Sequence, residues 1–223
     1  MDKISKEYQE IFFEVKILPV EQLDIERVEK LIRAYIADKN YEKALEVLRV
    51  VEDREKNNPS INSELGYCLV ELKQFDEAAK YFLKAKNQGR EDAWIYSQLG
   101  WSYRNAEKYK EALEAYLKAQ QLGDKVAWRN AEIGMCYKEL GKYEEAVKKL
   151  IQSRKLSLKE GDVVDLEDLE LAYCYAALGD KKKAEKHMKL SIDSLGSRAE
   201  NEEHLKEQFD EIREMISVLS KPS

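Results

Sequence analysis

Little in this chain interrupts a helix. Its 223 residues include three prolines and nine glycines, while 37% are charged and 43% hydrophobic. Few breakers with many charges predict a nearly all-helical protein. The hydrophobic fraction is too high for a disordered one. A long apolar run is also missing: none approaches the roughly 18 residues of a membrane span, so no membrane partner is expected. Residues 1–18, MDKISKEYQEIFFEVKIL, are charged throughout and lack the apolar centre of a signal peptide. With only three cysteines besides, the expected setting is a reducing one, the cytoplasm. Nor is there an excess of positive charge. A net charge of −6 disfavours nucleic acid, whose phosphates need a basic face.

Residues with catalytic chemistry are equally scarce. The two histidines, His187 and His204, each lie in or beside a helical stretch without a nearby motif; a metal pair on one helix would want a second histidine or a carboxylate set at i+4. Lys183 and Glu185 beside His187 form a surface pattern. There is no glycine-rich phosphate loop and no nucleophile elbow. The carboxylates are dispersed among lysines, as on solvated faces. No enzyme, no metal and no cofactor is expected.

What the chain does have is a repeat. Stepping by 34 residues from Gly100 gives Gly66 and Gly134, with Ile32 one step further back and, after a four-residue insertion, Ala172 ahead. The same steps from Ala112 give Ala44, Ala78, Ala146 and Ala184. Tyr103 matches Tyr35, Leu69, Tyr137 and Tyr175, and Tyr116 matches Leu48, Phe82, Leu150 and Met188. The aromatic after the turn, Tyr109, matches Tyr41, Phe75 and Tyr143 but is Lys181 in the last copy. Each copy reads as helix, turn, helix. A small residue near the middle of each helix lets the two backbones approach, and the large residues fill the flanking space. Ile32 predicts a looser first pair. One such pair cannot bury its apolar faces alone, so neighbours must stack.

Residues Tyr96, Leu99, Gly100, Tyr103, Ala112, Tyr116 and Ala119 resemble the signature of the tetratricopeptide repeat (TPR) family, with Asp124 where that family usually has proline. The AW-x5-G-x2-Y spacing of residues 93–103 and 127–137 further resembles bacterial multi-TPR proteins. The resemblance implies an all-α, right-handed α-solenoid of five stacked units: 25–58, 59–92, 93–126, 127–164 and 165–198. Asn58-Pro59 is a helix start, and Gly89 and Gly123 are helix terminators. Residues 1–24 and 199–223 are expected to be capping helices. The first carries Ile4, Tyr8, Ile11, Phe12, Val15 and Leu18 on one face and ends at Pro19. The second, over 200–219, carries Leu205, Phe209, Ile212, Ile216 and Leu219. Cys68, Cys136 and Cys174 share one repeat position with Ser102 and Ala34, which predicts small buried helix contacts rather than a metal site.

In this family the first helix of each unit lines a concave groove. Carried onto this sequence, its inner positions include Ser63, Tyr67, Trp94, Ser97, Trp101, Arg104, Trp128, Met135, Lys138, Leu166, Leu169 and Tyr173, and the neighbouring sixth position gives Glu64, Glu132 and Glu170. All three tryptophans fall in this set, and exposed aromatics with Met and Arg are the composition of a binding hot spot. Trp94 and Trp128 have an alternative: packing as core on the preceding second helix. The Lys and Asn pattern with which chaperone-binding members hold a terminal carboxylate is missing from every three-unit window. An acidic column would repel such a tail. Glu160, Asp162, Asp165, Glu167, Asp168 and Glu170 add acid at one end, or serve only a helix start. The expected function is a non-enzymatic interaction module or scaffold. It binds a protein or peptide, apolar and with room for basic residues, as a monomer or weak homo-oligomer. The alternative is a structural protein that self-associates through its capping helices or array ends.

Overall fold

In the computed structural model the chain folds as a succession of helices. The structure describes residues 6–18, 22, 24–54, 57–161, 164–196 and 198–219, and no strand occurs among them. Two units are described in turn, Met1–Lys108 and Tyr109–Ser223.

The first unit contains α1 (Lys6–Ile17), α2 (Ile25–Ala37), α3 (Tyr41–Arg54), α4 (Pro59–Glu71), α5 (Phe75–Asn87) and α6 (Ala93–Asn105). Each helix packs on the next in sequence. Side-chain caps start three of them. Asp24 accepts from the Arg27 amide, Asn58 from those of Ser60 and Ile61, and Asp92 from that of Ile95. Pro59 opens α4, where its missing N–H is no loss. Gly66 sits where a Cβ would fall 2.8 Å from the Phe82 ring, so the α4–α5 approach is set by the absence of a side chain. Ile32 fills the matching place in α2, and the α2–α3 pair is the looser one, as its size demands. On α1, Ile11 and Val15 are buried and Phe12 meets the Tyr35 ring edge-on at 5.6 Å. Phe13 and Ile17 face outward. Ile4 and Pro19 lie outside the described residues.

The second unit contains α7 (Tyr109–Gln121), α8 (Ala127–Glu139), α9 (Tyr143–Glu160), α10 (Asp165–Ala177), α11 (Lys181–Leu195), α12 (Arg198–Asn201) and α13 (Glu203–Val218). Gly134 repeats the Gly66 device, its absent Cβ 2.8 Å from Leu150 Cγ. The expected single helix over 200–219 is broken at Glu202, which is extended and precedes α13. Leu205, Phe209, Ile212 and Ile216 of α13 are buried with Leu169, Ala172 and Tyr175 of α10. Leu219, the residue after α13, is 40% exposed and does not complete that stripe.

The short turns inside the repeats share one backbone device. Lys39, Lys73, Glu107, Gly141 and Gly179 all have positive φ, between 56° and 78°. Gly89 and Gly123 do the same at the ends of α5 and α7, with φ of 99° and 105°. Cys68, Cys136 and Cys174 are free and buried. Burial, with Glu64 and Glu71 nearby, pushes the Cys68 thiol up to about 12.

Candidate functional site

The inner positions of the first helices form two sets, one in each unit. In the first unit, Trp94 stands at the start of α6, 37% exposed. Its ring meets Phe82 edge-on at 5.8 Å, and the Arg90 guanidinium lies 4.7 Å from its centre. Trp94 therefore packs on the preceding helix and still presents a face to solvent. Tyr67 is half-buried and meets the Tyr41 ring edge-on at 6.1 Å. Burial, then Glu71 and Tyr67, pushes the Tyr41 hydroxyl up to about 12. Trp101 and Arg104 are half-buried, and the Trp101 carbonyl accepts from Asn105 at 2.8 Å.

In the second unit, Trp128 is 52% exposed at the start of α8. Met135 is half-buried two turns along the same face. Lys138 Nζ lies 2.7 Å from Glu170 Oε2 and 5.1 Å from the centre of the Tyr173 ring. Burial pulls the Lys138 ammonium down, but Glu170 and Glu139 outweigh it and hold it above its ordinary value. Tyr173 in turn is tilted against Tyr143 at 6.4 Å. Lys138, Leu169, Glu170 and Tyr173 close, with Gln208 and Glu211 of α13, around a cavity of about 40 Å³. That is room for little more than a water molecule.

Several expected groove residues do not reach the surface. Ser63, Ser97 and Leu169 hold the same fifth position of their helices, and all three are buried. Ser63 Oγ turns back to the Pro59 carbonyl at 2.6 Å. The fifth position is a packing position here, because it points between helices. The acidic column is not an open negative surface either. Glu132 is buried and accepts from the Tyr116 hydroxyl at 3.1 Å. Glu170 is paired with Lys138. Burial raises the Glu64 carboxyl, with Arg33 and Arg90 acting in opposition. Three of the six carboxylates of the terminal acidic cluster, Glu167, Asp168 and Glu170, likewise go into internal contacts, while Glu160 is exposed. Asp168 is buried, accepting from Arg154 Nε at 2.9 and 3.1 Å, with His187 Nδ1 2.6 Å from its Oδ1. Glu167 accepts from Ser153 and Ser157. Asp162 and the Asp165 side chain lie outside the described residues. His187, expected at the surface, is stacked on Tyr175.

One residue is not singled out by the repeat pattern. Arg129 follows Trp128, and its side chain is fully buried. Its Nε donates to Asp124 Oδ2 at 2.8 Å. Its guanidinium carbon lies 4.0 Å from the centre of the Trp128 ring and 4.4 Å from that of Tyr116. Among the described residues no group accepts from Nη1 or Nη2. Its signal in the sequence is a pair of features: Asp124 replaces a usual proline, and Arg129 stands where the two preceding copies have Ile61 and Ile95, though the first has Arg27.

Two family models for the tetratricopeptide repeat match, one over residues 31–97 and the other over 95–122 and 130–152, together just over half of the chain. The chain belongs to the tetratricopeptide repeat family. Similar solved TPR structures support the all-α helical-repeat fold. YrrB, a TPR protein with an unusual peptide-binding site, is 16% identical with a TM-score of 0.70 over 93% of this chain and 97% of its own. A MamA protein is 17% identical with a TM-score of 0.65 over 88% and 96%. MamA 41-end from Desulfovibrio magneticus RS-1 is 18% identical with a TM-score of 0.69 over 78% and 96%. No match was found among curated protein sequences. TPR proteins generally mediate protein–protein interaction and act as non-enzymatic scaffolds. Among the described residues no helix is long and apolar enough to cross a membrane, and no cluster of three His, Cys, Asp or Glu side chains could hold a metal ion.

Proposed function

We propose that this chain is a non-enzymatic, cytoplasmic interaction module. It takes an apolar peptide segment or protein surface on the aromatic side chains of its first helices, within five repeat units and two end helices. The observation that carries the reading is the exposure of Trp94 and Trp128. Large aromatics left in water are where interface energy concentrates, and packed helices hold them in place, so little ordering entropy is lost on binding. Tyr67, Trp101, Arg104, Met135 and Tyr173 extend the two sets. The peptide-binding site named for YrrB supports a peptide as the ligand class. Because Glu132 and Glu170 already have partners, the segment is apolar first, and basic residues in it are secondary. A chaperone carboxylate tail is not the ligand.

The test is a displayed peptide library panned on the wild-type chain, with selected peptides titrated by calorimetry. Trp101→Ala with Tyr67→Ala should weaken the selected apolar peptides tenfold or more. Equal affinity in the double variant removes the reading. Self-association is the second reading, favoured by Phe13 and Ile17, which face outward from α1. Light scattering that shows a concentration-independent monomer removes it.

A further inference from the structure

We propose that Arg129, beneath Trp128, is a docking point for the backbone carbonyls of an uncharged apolar peptide segment. This rests on the reading that Trp128 belongs to the peptide-binding face. The repeat does not require an arginine here: the two preceding copies bury Ile61 and Ile95 at this position, while the first has the half-buried Arg27 and the last Glu167. A buried guanidinium is tolerated only when its donors are met. Asp124 meets one, through Nε. The rings of Tyr116 and Trp128 stabilise the charge, but a ring face is a weak acceptor beside an oxygen. Among the described residues no oxygen or nitrogen accepts from the buried Nη1 and Nη2. Glu132, one turn further along α8, accepts from the Tyr116 hydroxyl. The acceptor therefore comes from outside.

Charge decides what kind of acceptor. Asp124 already balances Arg129, and Glu132 stands one turn away, so a ligand carboxylate would bring surplus negative charge into a desolvated place. A backbone carbonyl supplies the lone pairs without the charge. Apolar surface lies beside it. Leu122, Val126 and Trp128 are all exposed along the α7–α8 connection, enough to seat an apolar side chain next to the docked carbonyl. Trp128 is the cover: it is half in water and in contact with the guanidinium, and turning its ring aside opens the two nitrogens.

The test follows the Trp128 indole N–H by NMR on the full chain, with the backbone amide of the buried Ala44 on α3 as internal control. The probes are N-acetyl-leucinamide, which is neutral, and N-acetyl-leucine, which carries a carboxylate. N-acetyl-leucinamide should shift Trp128 saturably, and N-acetyl-leucine at least threefold more weakly. The Asp124→Asn/Arg129→Ile pair restores the apolar residue of the two preceding copies. It should melt no lower than wild type and bind the neutral probe at least tenfold more weakly. Arg129→Lys keeps the charge without the forked donors and should also lose the response. The proposal is overturned if Trp128 does not respond in wild type, if the carboxylate probe binds better, or if either variant responds as wild type does. Should Arg129 variants keep full affinity for selected library peptides while Trp101→Ala/Tyr67→Ala loses it, this inference falls and the broader reading stands. Should both variants keep it, the broader reading falls too.

Discussion

The Phe82 ring occupies the space that a side chain on Gly66 would need: a Cβ there would lie 2.8 Å from its Cε1 and 2.9 Å from its Cζ. Phe82 is fully buried and cannot swing away. Gly66→Ala gains about 1 kcal/mol of helix propensity but overpacks the α4–α5 contact, at about 1–3 kcal/mol. A net loss of about 1 kcal/mol is expected in urea denaturation. Phe82→Leu makes room, so the double variant should lose about 1 kcal/mol less than the two single losses added. Simple additivity would show that the contact does not set the helix approach.

Size periodicity makes that contact legible in the sequence: Gly66 and Phe82 occupy repeat positions whose counterparts are Gly134 and Leu150. The terminators Gly89 and Gly123 and the Asn58-Pro59 start are legible for a similar reason, since each acts within one turn of chain. Side chains that find partners across helices are not. Counting positions along an inner face puts Ser97 and Leu169 in the groove, and counting cannot see the helix that covers them. Glu132 reads as part of an acidic column because its partner, Tyr116, lies on another helix. His187 reads as exposed because its sequence neighbours are charged, while Asp168 and Tyr175, which enclose it, belong to α10.

Lys73 stands at a turn position with φ of 60°, where Gly141 and Gly179 serve in later copies. The turn is closed by the Gln74 amide on the Leu69 carbonyl at 2.8 Å, matched by Lys142 on Tyr137 at 2.9 Å. A side chain in this left-handed region costs about 1–2 kcal/mol. Glycine relieves that strain but loses about 0.5–1 kcal/mol through its freer unfolded chain. Lys73→Gly should therefore raise the melting temperature by about 1–3 °C, and Gly141→Ala should lower it. Calorimetry on the two variants checks the sign, and a lower melting temperature for Lys73→Gly would contradict the strain argument.

Alkaline pH should destabilise the chain progressively between about pH 9 and 12. Burial pushes the Cys68 and Cys174 thiols up to about 12 from 9.0, and the Tyr41 and Tyr81 hydroxyls up to about 12 from 10.0. In the unfolded chain these groups release their protons near their ordinary values, while the folded chain holds them protonated. The stability they contribute is thus whole below about pH 9 and is lost as pH rises towards 12. Circular dichroism against pH should show a plateau ending near 9. At pH 8 the native thiols should be inert to a disulfide reagent and react only in denaturant. A fast native reaction of a thiol would place it at the surface.

Asp168 ties three helices of the second unit together. Its carboxylate accepts from Arg154 of α9 at 2.9 and 3.1 Å and lies 2.6 Å from His187 of α11, whose ring stacks on Tyr175 at 5.5 Å. Asp168 itself is buried, so its removal takes the shared acceptor from the His187 imidazole and from the Arg154 guanidinium, which water still reaches. Asp168→Ala should cost about 2–4 kcal/mol in urea denaturation, a little below the loss of one partner from a fully buried ion pair. Asp168→Asn, which keeps one oxygen for Arg154, should lose less. The cluster need not be better than an apolar one. Replacing all three residues, with Arg154→Met, Asp168→Leu and His187→Phe, removes the charges together, and the variant should return to within about 2 kcal/mol of wild type. If Asp168→Ala costs less than about 1 kcal/mol, the carboxylate is solvated rather than shared, and the cluster does not hold α9, α10 and α11 in place.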